Sequence, residues 1–248
     1  MNSLQRIRAS HARVGGHAPA PSEAASTRSN SGRDVAKRTF DVLVGVVLLA
    51  IAIPLMLIVA VAVRMNSRGP VLFKQRRLGR DMQPFTVLKF RTMVTDSSPE
   101  LHQRYIAELM STEPASVVPP GVEGNGNGNG NGTVKKLTED PRVTRVGRYL
   151  RRVSLDELPQ LFNVVGGTMS LVGPRPALEY ELQHYSPEHF ERFSVRPGVT
   201  GLWQVSGRNS LGFREMLDLD AKYAQDATLM TDISILARTP VAAVRHAA

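Results

Sequence analysis

With 248 residues, 42% hydrophobic and 21% charged, the chain has the length of one ordinary domain, or of a smaller domain with tails. The absence of cysteine excludes disulfides, thiolate zinc sites, iron–sulfur clusters and cysteine nucleophiles. A net charge of +9 points to an anionic partner: nucleic acid, an anionic membrane surface or a phosphorylated substrate.

Residues 1–33 are rich in Ser, Ala, Arg, Gly and Pro without an apolar period, so a disordered tail is expected. The stretch lacks the apolar core and cleavage site of a signal peptide. Next comes Val42–Val63, 22 residues without a charged or strongly polar side chain. As a helix it would reach about 33 Å, the thickness of a hydrocarbon core. A buried core helix would need far more covering chain than this sequence offers, so a membrane helix over residues 34–65 is predicted.

Pro54 sits in the middle of that run, where it removes a backbone hydrogen bond and kinks a helix. Basic residues flank both ends: Arg33, Lys37 and Arg38 before, Arg64, Arg68, Lys74, Arg76, Arg77 and Arg80 after. The positive-inside rule therefore cannot choose a side. A helix that bends at Pro54 and returns to the cytoplasmic face satisfies both flanks; a straight span with a weak charge bias is the other arrangement.

Residues 66–245 are expected to form a cytoplasmic domain. Val71–Gln75 and Phe85–Phe90 have strand composition around a polar turn containing Gly79 and Asp81, which predicts a β-hairpin near 71–90. Pro99–Met110 reads as a short helix. Gly124–Gly132 alternates Gly and Asn within a flexible insertion near 113–136, and neither GxGxxG nor GxxxxGK[ST] can be read through it. Helices are expected over Arg142–Val153 and Leu155–Val165, a Gly/Pro-rich loop over 166–176, and a polar helical stretch over 177–192. Residues 194–210 hold many loop formers, and helices over Gly212–Asp226 and Asp232–Arg245 close the chain. The fold class predicted is α+β, mostly helical.

Chemistry can sit in four places. Ser154 and Glu157 have the spacing of a capping box, which is the purely structural reading of Ser154–Gln160. The functional reading places Asp156 and Glu157 at a helix N-terminus, where the macrodipole keeps Asp156 ionised and nucleophilic. Adjacent carboxylates also suit a hard cation such as Mg2+. Arg145, Arg148 and Arg152 share one helix face, which either binds phosphate or lies against solvent or anionic headgroups. Gly173-Pro174-Arg175-Pro176 holds one arginine between two prolines, an ordinary turn or a rigid guanidinium for bidentate phosphate recognition. Arg196-Pro197-Gly198 and Gly207-Arg208 repeat that theme beside Trp203 and Gln204. His184 and His189 form no metal pattern. Asp218-Leu219-Asp220 has the spacing of a DxD metal motif in a helical pattern, where a solvated face is the plainer account.

These pieces resemble the bacterial sugar transferases, the monotopic polyprenyl-phosphate phosphoglycosyl transferases. The resemblance runs from about Lys37 to Arg238 around the 94–136 insertion. It rests on KRTFD at 37–41, GPVLFKQRRLGR at 69–80, KFRTM at 89–93, DPRVTRVGRYLRRVSLDELPQLFNVV at 140–165, MSLVGPRP at 169–176 and RPGVTGLWQVSGR at 196–208.

The resemblance implies transfer of a sugar-1-phosphate from a UDP-sugar to a membrane polyprenyl phosphate, such as undecaprenyl phosphate, with release of UMP. That is the first membrane step of exopolysaccharide or glycoconjugate synthesis. It implies Asp156 as nucleophile, through a phosphosugar–aspartyl intermediate, with Glu157 beside it as Mg2+ ligand or proton handler. Phosphate contacts fall to Arg175, then Arg196 and Arg208. Lys89, Arg91 and Arg145 lie in the family's pattern. The family's re-entrant helix favours the bent arrangement, on the cytoplasmic face of the bacterial inner membrane.

Two departures stand out: Ile53 precedes Pro54 where the family often has Ser, and the Gly/Asn insertion is unusual. Some relatives carry extra N-terminal membrane helices, whereas a catalytic core with a tail is expected here. No nucleic-acid partner is expected. The alternative, a membrane-tethered basic protein binding nucleic acid or anionic lipid, explains the charge but not paired carboxylates among arginines. A metal-dependent glycosyltransferase using Asp218 and Asp220 would release UDP instead. No motif here names the sugar or the oligomeric state.

Overall fold

The computed structural model describes residues 30–94, 142–207 and 211–245. The N-terminal tail to residue 29, the Pro99–Met110 helix, the Gly/Asn insertion and Arg208 lie outside the described residues. The chain divides into two units, residues 1–36 and 37–248. Of the first, only the opening turns of a helix are described; every element from Lys37 onward belongs to the second.

Helix α1 (Asn30–Asn66) contains the apolar run, with Pro54 inside it. Its mean hydropathy peaks at 3.2, and 17% of that window is buried. A helix apolar all round and so little covered needs a nonaqueous solvent on its free side. One stripe is used by the protein: Phe40, Val44, Leu49, Ala52, Met56, Val59 and Val63 pack into two adjoining cores. Leu43, Val47, Ile51, Leu57, Ile58 and Val61 stay exposed on the rest of the surface.

The KRTFD segment anchors α1 to the domain. Lys37 Nζ donates to Asp232 Oδ2 at 2.7 Å. Arg38 donates to the carbonyls of Val164 and Val165 at 2.6 and 2.8 Å, satisfying groups that a helix C-terminus leaves open. The buried Asp41 carboxylate accepts from Ser170 Oγ at 2.7 Å and Leu171 N at 3.1 Å.

Strands β1 (Leu72–Leu78) and β2 (Pro84–Phe90) form the expected hairpin, antiparallel, with Gln75 opposite Val87 and Phe73 opposite Lys89. Asp81 and Met82 turn it with positive φ. Beyond β2, Val94 N donates to the Arg142 carbonyl at 2.9 Å and Thr144 N to the Thr92 carbonyl at 3.0 Å. The two ends of the insertion are thus stitched together, and the chain resumes at Arg142 beside the hairpin.

Helix α2 (Arg145–Arg152) starts at a Thr144 cap that accepts from Gly147 N. The single helix expected over Leu155–Val165 is instead a 3-10 turn, Leu155–Glu157, and a separate helix α3 (Gln160–Gly166). Pro159 stands at the junction, where it has no N–H to continue the ladder. The loops at 166–176 and 194–210 contain a feature that their composition hid: β3 (Ser170–Val172) and β4 (Gly198–Thr200) pair in parallel. The polar stretch at 177–192 is two 3-10 segments, Glu179–His184 and Pro187–Ser194. Short α4 (Leu202–Ser206), then α5 (Phe213–Asp226) and α6 (Leu229–Arg245), complete the domain. The main core gathers Val87, Leu161, Val164, Met169, Leu171, Val172, Tyr223 and Ile235. The α+β, mostly helical expectation holds.

Candidate active site

Strand alternation starts the site. Gln75 and Arg77 on β1 share a face of the hairpin with Val87 and Lys89 on β2. Asn163 of α3 holds this face in register: its Oδ1 accepts from Leu88 N at 3.1 Å, and its Nδ2 donates to the Thr86 carbonyl at 2.7 Å. An otherwise open strand edge is thereby paired, and the 3-10 turn carrying Asp156 and Glu157 comes to lie beside Lys89.

Lys89 Nζ donates to Glu157 Oε1 at 2.8 Å, with both side chains partly exposed. Asp156 is buried. Burial first, then the Glu157 carboxylate, push the Asp156 carboxyl above its ordinary range, against the pull of Lys89 and Arg151. This corrects the capping-box and dipole expectations. Ser154 is in the left-handed region (φ 59°) and makes no cap hydrogen bond, and Asp156 lies in a three-residue turn rather than at an α-helix N-terminus. Neighbouring cations, not a macrodipole, favour the ionised form.

Glu157 opens onto a cavity of about 110 Å3, lined also by Arg77, Lys89, Gln160, Arg175 and Trp203, among others. Arg77 donates to the Pro176 carbonyl at 2.9 Å and grips Gln75 Oε1 with Nε and Nη2. Burial, then the nearby Arg175 cation, push the Arg77 guanidinium down to about 10. Two guanidinium groups held in one cleft make a site for an anion. The indole N–H of Trp203 and Oε1 of Gln204, both of cleft-lining residues, are buried without a hydrogen-bond partner.

Arg175 is held by more than its prolines. Its Nη1 donates to Glu181 Oε1 at 3.0 Å, its backbone N to Asp220 Oδ2 at 3.1 Å, and its carbonyl accepts from Arg192 Nη2 at 2.7 Å. Arg192 and Asp220 are a fully buried pair at 2.6 Å. Burial raises Glu181, but Arg175 and Arg77 outweigh it and hold the carboxyl below its ordinary range. Asp220 is pushed up to about 6 by burial, against Arg192. This also disposes of the DxD reading: Asp218 is exposed and bonds His189, while Asp220 faces the interior.

The sequence candidates thus divide. Glu157, Lys89 and Arg175 line one cleft, and Asp156 is buried beside Glu157 and Lys89. Arg145 is exposed on α2, and Arg196 donates to the Gly167 carbonyl at 3.1 Å; neither lines the cleft. Arg91 is buried, its Nη2 on Ser67 at 2.7 Å to the carbonyl and 3.0 Å to Oγ. Sequence reasoning does not single out Arg77 and Gln160 as lining the cleft, and of the arginines ahead of the carboxylate pair it does not pick out Arg151 as the one whose charge favours ionised Asp156. In KQRRLGR two arginines adjoin, and only strand register tells Arg77 from Arg76. Arg151 Nε donates to Thr92 Oγ1 at 2.8 Å.

Among the described residues no group of three or more carboxylate or imidazole side chains is placed to hold a metal. The Asp156–Glu157 pair still fits Mg2+ in its commoner mode, one or two carboxylates completed by substrate phosphates and water.

A family model described as bacterial sugar transferase matches residues 32–246. The chain is 38% identical to the exopolysaccharide production protein ExoY of Sinorhizobium fredii, over 88% of this chain and 89% of that protein. It is 40% identical to the undecaprenyl-phosphate galactose phosphotransferase of Salmonella typhimurium, over 85% of this chain but 40% of that protein. To a UDP-glucose:undecaprenyl-phosphate glucose-1-phosphate transferase of Caulobacter vibrioides it is 38% identical, over 83% of this chain and 68% of that protein.

Proposed function

The chain belongs to the bacterial sugar transferase family, and we propose that it moves a sugar-1-phosphate from a UDP-sugar to undecaprenyl or a similar polyprenyl phosphate, releasing UMP. It would act at the cytoplasmic face of the bacterial inner membrane, opening exopolysaccharide or glycoconjugate synthesis. The observation that carries this is a buried carboxylate, Asp156, set beside Lys89 and Arg151 and next to Glu157, which lines a cleft with Arg77 and Arg175.

A carboxylate attacking a diphosphate meets like-charge repulsion, so cations must take up the phosphate charge first. Arg77, Arg175 and Lys89 supply them, with Arg175 locked by Glu181, Asp220 and Arg192. An Asp156 oxygen attacks the sugar-bearing phosphorus; the bond to the bridging oxygen breaks, and UMP leaves with the electron pair. An oxygen of the polyprenyl phosphate then attacks the same phosphorus, and the Asp156 carboxylate is released unchanged. Glu157, with Asp156, would hold Mg2+, which when bound neutralises phosphate charge.

In this reading α1 bends at Pro54 and returns to the face it entered, keeping the cleft at headgroup level. The basic residues on both flanks support it. A cysteine introduced near Asn30 and another near Met65 should then be labelled by a membrane-impermeant reagent from the same side; labelling from opposite sides refutes the bend.

The chemistry is tested by incubating the detergent-purified protein with Mg2+ and a panel of UDP-sugars without lipid, then seeking a sugar-phosphate adduct on the peptide holding Asp156 and released UMP. Both are expected in wild type and neither in Asp156→Asn. No adduct with any donor, and no UMP once polyprenyl phosphate is added, overturns the assignment. UMP that appears only with the lipid keeps the reaction and rejects the intermediate.

A further inference from the structure

The cleft beside Glu157 has two kinds of polar lining. Arg77, Lys89 and Arg175 are cations, suited to phosphate. Gln160, Trp203 and Gln204 are neutral, and phosphate chemistry alone uses none of them. Gln160 is 3% exposed, yet among the described residues its side-chain amide makes no hydrogen bond. The Trp203 indole N–H and Gln204 Oε1 are buried and also lack a partner. Folded proteins pair nearly all such groups, because a polar group shut away from water is costly unless bonded. An indole N–H only donates and an amide oxygen only accepts, so a ligand that satisfies both must accept and donate. Ionised phosphate oxygens offer no donor and a hydrocarbon offers neither; a hydroxyl offers both.

Position decides which part of the donor these groups meet. Gln160 lies three residues beyond Glu157 in the chain, and Glu157 and Gln204 together line both this cleft and the apolar cavity that adjoins it. At about 110 Å3 the cleft is well below the roughly 300–1,000 Å3 of a pocket that encloses a whole drug-sized ligand. The two amides therefore stand next to the phosphorus that Asp156 attacks, not a nucleoside's length away from it, and the hydroxyl-bearing group bonded there is the sugar. Resting on the transfer reading above, we infer that Gln160 and Gln204, with the Trp203 indole N–H, form the sugar subsite and select the donor by its ring hydroxyls. Gln204 Oε1 accepts from a hydroxyl, Trp203 donates to a hydroxyl oxygen, and the Gln160 amide can do either. A donor that lacks the matching hydroxyl leaves a buried group unpaired, and sites built in this way reject such analogues strongly.

The test uses full-length protein in detergent micelles with Mg2+, undecaprenyl phosphate, the UDP-sugar that yields most UMP, and analogues of it lacking each ring hydroxyl in turn. Wild type should favour the parent donor over at least one deoxy analogue by about 100-fold or more in kcat/KM. Gln160→Leu and Gln204→Leu, which keep bulk and remove the amide, should each bring one such ratio to within about threefold. They should do so by lowering activity on the parent while leaving the deoxy donor nearly unchanged, a pattern that a misfolded or merely loosened site does not give. Wild type that uses every deoxy donor as well as the parent overturns the inference with no variant needed. So do variants that lose activity on parent and deoxy donors alike. Variants that keep the hydroxyl ratios but change the preference for UDP- over CDP-sugar show that the amides read the base, and also overturn it. UMP release by wild type separates the two claims: release with unaltered ratios sinks the sugar subsite alone, whereas no release from any UDP-sugar sinks the transfer reading and the subsite with it.

Discussion

Gly173 offers a sharp test of how the cleft is held. It lies between β3 and Arg175, where the two Arg–Pro loops cross. A Cβ there would sit 2.4 Å from the Arg196 carbonyl oxygen and 2.8 Å from Gly198 N, where ordinary contact begins at 3.4 Å. Neither obstacle is a flexible side-chain tip. Both are backbone, fixed by Gly173 N donating to the Thr200 carbonyl, Ser170 N to Pro197 and Gly198 N to Pro174, at 2.8–2.9 Å. Gly173→Ala must therefore part the loops. Overpacking of this kind costs about 1–3 kcal/mol, and straining one of these hydrogen bonds about 1 kcal/mol more. A total of about 2–4 kcal/mol is a large share of the stability of a domain this size. Because the displaced loops carry Arg175 and Val199, a shift near 1 Å should also lower kcat about 100-fold. Gly166→Ala is the control: it lies in the last turn of α3 with nothing within 4 Å of its Cβ, and should be neutral or stabilising by about 0.5–1 kcal/mol. Urea unfolding in detergent micelles, monitored by the fluorescence of Trp203, the sole tryptophan, reads both. A Gly173→Ala protein within 0.5 kcal/mol of wild type, or equal losses in both variants, refutes the reasoning.

Asp220→Ala leaves Arg192 buried without its carboxylate and should cost about 3–5 kcal/mol, whereas Asp218→Ala, at an exposed end, should cost under about 1 kcal/mol; comparable effects would revive a joint role. Asn163→Ala frees Leu88 N and the Thr86 carbonyl and should cost about 2 kcal/mol by thermal melting, with a rise in donor KM as Lys89 loses its place; an unchanged KM rejects the register argument. Asp156 is raised by burial and Glu157, so its nucleophilic form is gained as pH rises, and the acid limb of kcat/KM lies above the ordinary carboxylate range. Lys89 opposes that rise, so Lys89→Met should move the limb of the residual activity to higher pH; movement to lower pH contradicts the assignment. Arg77→Lys loses the two-pronged grip on Gln75 and should lower kcat/KM for the donor about tenfold; an unchanged value removes Arg77 from the site.

Much of this protein is written locally. A run of apolar residues too long to hide in so small a domain declares α1, strand composition around a polar turn declares the hairpin, and the order of short motifs declares the family. Asp156, Glu157 and Arg175 stand out as candidates because their neighbours in sequence are also their chemical context, whereas Lys89 is picked out only by the family's pattern.

Tertiary structure decided the rest, for one recurring reason: the relevant partner is remote in the chain. Ser154 and Glu157 have the spacing of a cap, but Glu157 finds Lys89, and with it the Asp156 environment becomes one of burial and cations rather than of a helix end. Two adjacent arginines in β1 are equivalent until pairing with β2 turns Arg77 inward. Three-residue strands β3 and β4 carry too little pattern to be seen alone, since they exist only as a pair. Asp218 and Asp220 look alike in sequence, yet one meets solvent and the other a buried arginine. Side-chain periodicity is a property of one segment and survives in the sequence; burial and charge are set by what packs against that segment, and only the fold supplies it.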